Sequence, residues 1–218
     1  MLKPQLRELL LQSLEHERGG VLVYQTALEC AINKDLRKEW QAYLEQTETH
    51  VQILTGVCEA LGLDPDEMTP GRKVVQHTGK SLVVAMKMAL AASDATAAEL
   101  VACECVVLAE TKDHADWELI GQCARELGGD EAGLLADAYG RVEDEEDEHL
   151  YHTKGWCREL WLKSLGLKAV LPPPEEKRDV KTAKAAAAAK ESRSGSRPDS
   201  ASQERTKQTL HARPQRGR

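Results

Sequence analysis

VEDEEDEHLYHTKGW, residues 142–156, sets six acidic residues and two histidines inside what otherwise reads as one long amphipathic helix. At about 100° per residue, Ala138, Val142, Glu145 or Glu146, His149, Trp156 and Leu160 fall on a single stripe. A carboxylate and an imidazole thus stand where apolar groups would fill a buried face. Burying such groups is costly unless they are paired or hold a metal. The rest of the run, Asp144, Asp147 and Glu148, reads as a solvated face with i,i+4 ion pairs.

Three other stretches share this pattern. The first helix, 4–32, opens on Pro4, a favourable first-turn residue, and aligns Leu6, Leu10, Leu14, Glu17, Val21, Tyr24 and Leu28. Gly19-Gly20 weakens it, which predicts either a closely packed backbone or a bend. A short turn with Asp35 as N-cap leads into a helix to about Leu61, with the stripe Leu36, Trp40, Tyr43, Thr47, His50, Leu54 and Cys58. GLDPDEMTPG, residues 62–71, breaks the chain, and 73–92 reads as a shorter crossover helix. Ser93 and Asp94 cap a helix to about Leu127 whose stripe is Leu100, Cys103, Val107, Glu110, His114 and Trp117. The opening stretch then lies in a helix from about Asp130 to Ser164 or Leu165.

Short connections make the first two and the last two long helices antiparallel pairs. Glu17 lies 15 residues before the end of its helix and His50 lies 15 after the start of its own. Glu110 with His114, and Glu145 or Glu146 with His149, match in the same way. Four helices therefore bring polar groups to one level: Glu17, His50, Glu110 with His114, and Glu145 or Glu146 with His149. Carboxylates mixed with imidazoles suit Fe, Mn or Zn, whereas all-oxygen sets suit Ca or Mg. Trp40, Trp117 and Trp156 read as core, Glu104 as exposed, and His152 as a core or surface histidine. Tyr43 either donates a hydrogen bond to a ligand or fills space.

Charge divides the chain. Residues 1–170 carry 17 Lys+Arg against 30 Asp+Glu, and residues 171–218 carry 12 against 6, for a net charge of −7. The first segment reads as one helical domain. The second lacks the apolar residues to offset its ordering entropy and reads as a disordered tail. Its basic residues could neutralise phosphates, but no aromatics interleave with them, so a solubilising role is the simpler reading. No segment approaches the roughly 20 apolar residues needed to span a bilayer, and the N-terminus lacks a signal-peptide pattern. We expect a cytoplasmic protein. Its six cysteines show no CxxC or zinc spacing and read as small apolar side chains.

The order of helices, with mid-helix Glu17, His50, Glu110 and Glu146-x-x-His149, resembles the ferritin-like, rubrerythrin-like di-iron carboxylate superfamily. Helix LEQTETHVQILTGVCEALGLDP, residues 44–65, is similar to the second helix of small bacterial ferritin-like proteins associated with stress responses. The resemblance covers residues 4–166 and implies an all-α, four-helix bundle with a crossover helix between its second and third helices. It also implies one or two Fe or Mn ions and a role in metal handling or oxidative-stress defence. Glu17, Glu110, Glu146 and His149 match the family's ligands, and His50 matches one of a second Glu-x-x-His. The position three before His50 is Thr47, where the family has Glu, and His114 and Glu145 are the compensating ligands on offer. A homodimer is a further expectation. The alternatives are a metal-free helical scaffold whose inward Glu and His residues pair with each other, and an interaction protein whose basic tail contacts nucleic acid or an acidic partner.

Overall fold

Five helices account for nearly all of the residues described by the computed structural model, which are 3–171, 173 and 174. They are α1 (Pro4–Cys30), α2 (Lys34–Ala60), α3 (Pro70–Ala91), α4 (Ala95–Glu126) and α5 (Gly129–Ser164). Among the described residues there is no strand, and no helix is long and apolar enough to cross a membrane. The expected tail, 171–218, lies outside the described residues except for Leu171, Pro173 and Pro174.

Local chemistry sets the helix ends. Asn33, not Asp35, caps α2: its side-chain oxygen accepts from Asp35 N at 3.0 Å and Leu36 N at 3.3 Å, so the cap lies two residues earlier than expected and the helix begins at Lys34. Thr69 accepts from Arg72 N at 3.1 Å and is followed by Pro70, which moves the start of α3 forward from residue 73. Gly62 ends α2 with φ 71°, and the amides of Gly62 and Leu63 reach back to Glu59 O and Cys58 O at 3.0 and 2.9 Å. Across the molecule, Glu99 of α4 accepts from Ile32 N and Asn33 N at 2.8 and 2.5 Å, pinning the α1–α2 turn.

α4 packs most extensively on α5, α1 on α2, α3 and α4, and α2 on α5. α1 runs unbroken through Gly19-Gly20, and the close-packing alternative is the one found. A Cβ on Gly79 of α3 would lie 3.6 Å from Gly19 Cα, and one on Gly20 would lie 3.3 Å from Thr47 Cγ2 of α2. The two glycines thus admit α3 on one side of α1 and α2 on the other. The interior divides into two apolar regions. One contains Tyr24, Trp40, Tyr43, Met86 and Trp156, and the other Leu10, Leu14, Leu54, Trp117, Ile120 and Val142. Between them lie Glu17, His50, Glu110, Glu146 and His149, all 2% exposed or less.

α3 is mostly exposed and is held at its start by a buried ion pair. Arg72, fully buried, donates to Glu15 Oε2 at 3.1 Å from Nε and 3.0 Å from Nη2, while Nη1 donates to Pro65 O and Glu67 O at 2.6 and 2.9 Å. Removing one partner of such a pair strands the other's charge. Glu15→Leu should therefore lower unfolding stability by about 3–5 kcal/mol, and adding Arg72→Met should recover much of that loss. Urea denaturation of the two variants checks both expectations, and a Glu15→Leu protein of unchanged stability would refute the assignment.

Candidate metal centre

Each of four helices delivers its polar residue to the gap between the apolar regions. His50 Nδ1 lies 3.5 Å from Glu17 Oε1 and 3.1 Å from Glu146 Oε1. His149 Nδ1 lies 3.6 Å from Glu110 Oε2 and 3.6 Å from the same Glu146 Oε1. Two groups result, Glu17–His50–Glu146 and Glu110–Glu146–His149, within each of which one ligand atom per residue lies within 4.8 Å of the others. Glu146 belongs to both. The step from Glu146 to His149 is one turn of α5, so both side chains project on the same face.

Hydrogen bonds made outside the gap fix both imidazoles. His50 Nε2 donates to Glu145 Oε2 at 2.8 Å, and His149 Nε2 donates to Gln46 Oε1 at 2.9 Å. With Nε2 committed as a donor, Nδ1 of each ring is the nitrogen turned inward. Neither Nδ1 makes a hydrogen bond, nor do Glu17 Oε2, Glu110 Oε2 or either oxygen of Glu146, and all are buried. Buried polar atoms are ordinarily paired. Six such atoms without a hydrogen bond, in contact mainly with one another, make a set that metal ions would satisfy, and the mixture of carboxylate and imidazole fits Fe, Mn or Zn.

The electrostatics follow from crowding charges where water does not reach. Burial pushes the Glu110 carboxyl up to about 8 and the Glu146 carboxyl up to about 7, with neighbouring carboxylates adding to both shifts. Burial pushes His149 down to about 4. For His50 burial also acts downward, but Glu145, Glu146 and Glu17 outweigh it and hold the ring well above its usual range. Burial and the carboxylates of Glu17, Glu146 and Glu110 likewise raise Asp113 well above the usual carboxylate range.

Of the residues singled out from sequence, Glu17, His50, Glu110, Glu146 and His149 meet in this gap. Glu145 does not: its side chain is 37% exposed and serves as the outer partner of His50. His114 also stands outside, with Nε2 bonded to Asp147 Oδ1 at 2.9 Å. Asp147 is buried rather than solvated, because α4 covers that side of α5. Thr47 occupies the level of the expected fourth carboxylate, but its hydroxyl donates to Tyr43 O at 2.8 Å and its methyl faces Gly20. Tyr43 bonds His152 Nδ1 at 2.8 Å and lays its ring 4.4 Å from that of His149, and His152 is core.

Three contributors escape a reading of apolar stripes. Gln46 lies one turn before His50 on the flank of α2, and only that i−4 spacing hints at its role. Trp117 reads as core, yet its indole N–H donates to Glu17 Oε1 at 2.7 Å. Asp113 is one turn beyond Glu110 on α4 and is 4% exposed; a Glu-x-x-Asp step at this level is the available signal. Comparison of the chain with protein-family models, with curated proteins and with solved structures returns no match.

Glu110 and Glu146 keep their protons in the fold at pH values where the unfolded chain, with carboxyls near 4.5, has released them. Proton uptake by the folded state makes stability fall as pH rises through about 8. His50 acts in the same sense, whereas His149 opposes it only below its ordinary 6.5. The metal-free protein should therefore lose stability between pH 6.5 and 8.5, and Glu110→Gln should flatten the loss. Urea midpoints across that range test this, and a flat profile for the unmodified chain would contradict it.

Proposed function

We propose that this chain is a ferritin-like metal-binding protein. In this reading α1, α2, α4 and α5 form the four-helix bundle, α3 is its crossover helix, and the centre holds two iron or manganese ions. The observation that carries it is the convergence of buried, unbonded donor atoms: Nδ1 of His50 and His149, and oxygens of Glu17, Glu110 and Glu146. Glu17 with His50 would hold one ion, Glu110 with His149 the other, and Glu146 would be shared. Three carboxylates would leave a pair of dications one positive charge in excess, a small imbalance for a buried site.

The chain's own groups have distinct tasks. Glu145 and Gln46 orient the imidazoles, as outer partners of metal-binding histidines do. Trp117 holds Glu17 in place, and the rings of Tyr24 and Tyr43 help wall the His149 side against water. Bound iron or manganese would supply one-electron chemistry toward dioxygen or peroxide, so metal handling and defence against oxidants are the roles this site fits. A metal-free scaffold gains some support from the His50 contacts with Glu145 and Glu146, which compensate part of the buried charge.

Metal counting separates the two. Anaerobic reconstitution with Fe(II) or Mn(II), followed by elemental analysis of the desalted protein, should give about two ions per chain. Glu146→Ala should reduce the count, and an unmodified chain that retains none would remove the metal reading. Gln46→Leu and Glu145→Ala should each weaken metal affinity by about 10–100-fold with the count at saturation unchanged, measured by competition with a chromophoric chelator.

A further inference from the structure

A narrow cleft of about 60 Å³ opens between α4 and α5, with His114, Glu118, Glu143, Asp147 and Glu146 among its lining residues. Glu146 is only 1% exposed and its carboxylate accepts no hydrogen bond, so the cleft ends on the residue shared by both ligand groups. The polar lining and volume of the cleft are enough to hold water, which needs roughly 10–15 Å³ of such space per molecule. Larger clefts against α2 and along α3 are lined by none of the five residues of the centre.

The chemistry of this cleft changes with depth. Glu118, its side chain 67% exposed, and Glu143, half-buried, stand toward solvent. His114, at 14% exposure, comes next, with Nδ1 3.9 Å from Glu118 Oε2 and Nε2 2.9 Å from Asp147 Oδ1. Glu146 lies innermost. Each of these side chains can ligate a divalent cation, yet among the described residues their atoms do not close into a three-ligand group as those of the centre do. Such a row attracts cations without retaining them.

We infer that this cleft is the inlet by which a divalent cation, shedding part of its water to these side chains, reaches the centre, with Glu118 and Glu143 drawing it in and His114 passing it to Glu146. The inference rests on the metal-binding reading above. Clefts lined by one sign of charge raise local counter-ion concentration and on-rates. Salt screens that attraction, since the Debye length is only about 8 Å at physiological ionic strength.

The test follows Co(II) uptake by the full chain in stopped flow, using the visible absorption that cobalt acquires in a mixed nitrogen and oxygen site. Glu118→Gln/Glu143→Gln should load about tenfold more slowly than the unmodified chain, with a weaker salt dependence and the same final count. His114→Ala should slow loading at equal count. Glu45→Gln/Glu48→Gln, which removes two exposed charges from α2 on another side of the molecule, should load at the unmodified rate. Equal rates for all variants, or equal slowing by both charge pairs, overturns the inlet. A lowered final count in the Glu118/Glu143 variant does so too, because it makes these residues ligands. No uptake by the unmodified chain is a separate outcome that removes the metal reading itself.

Discussion

Five ionisable side chains buried at one level, sealed above and below by apolar packing, are the constraint to which the rest of this fold answers. Isolated charges in such a setting are costly, and groups there change protonation state or acquire partners. The chain does both in part. Glu110 and Glu146 are pushed toward their neutral forms, and His50 toward its charged one. Several donor atoms still lack partners. Groups so placed reduce the stability of the fold unless something else binds them, which is the pattern of strain held at functional sites.

Close approach of helices makes that level possible. Gly20 lets the methyl of Thr47 sit against α1, and this threonine, with its hydroxyl turned back to Tyr43 O, contributes bulk rather than charge. One carboxylate is therefore common to the two ligand groups. A further carboxylate on α2 would add negative charge to a gap that already crowds Glu17, Glu110 and Glu146 together, with Asp113 close by. The outer layer compensates through geometry: Glu145 and Gln46 commit the far nitrogen of each imidazole, so ring orientation does not depend on the ligand bound.

Much of this was legible in the chain. Periodicity located the helices, since the four that carry the centre each interrupt a clear apolar stripe only at the polar level, and the depth argument paired Glu17 with His50 and Glu146 with Glu110. Helix starts were less legible, since Asn33 competed with Asp35 and Thr69-Pro70 sits inside a run of breakers. The side chains left open by the sequence, or in the case of Asp147 placed on the wrong side, lie at stripe edges. Periodicity fixes a direction to within a sector, and Glu145, Asp147 and His114 fall where one neighbouring helix decides between solvent, outer layer and interior. Gln46 and Trp117 were missed for another reason: an amide or an indole carries no charge to draw notice, and its role depends on which ring or carboxylate it meets across the core.

The hydrogen bond from Trp117 to Glu17 gives the protein an internal optical probe. Of the four tryptophans, Trp40 is buried in the opposite apolar region, and Trp156 and Trp161 donate to Glu39 and Glu104. The indole of Trp117 touches a member of the buried polar group directly, and its ring centroid lies 6.1 Å from that of His50. Emission from this one ring is thus tied to the electronic state of its neighbours, and a paramagnetic or strongly charged occupant would register there as quenching or a spectral displacement, with no label attached.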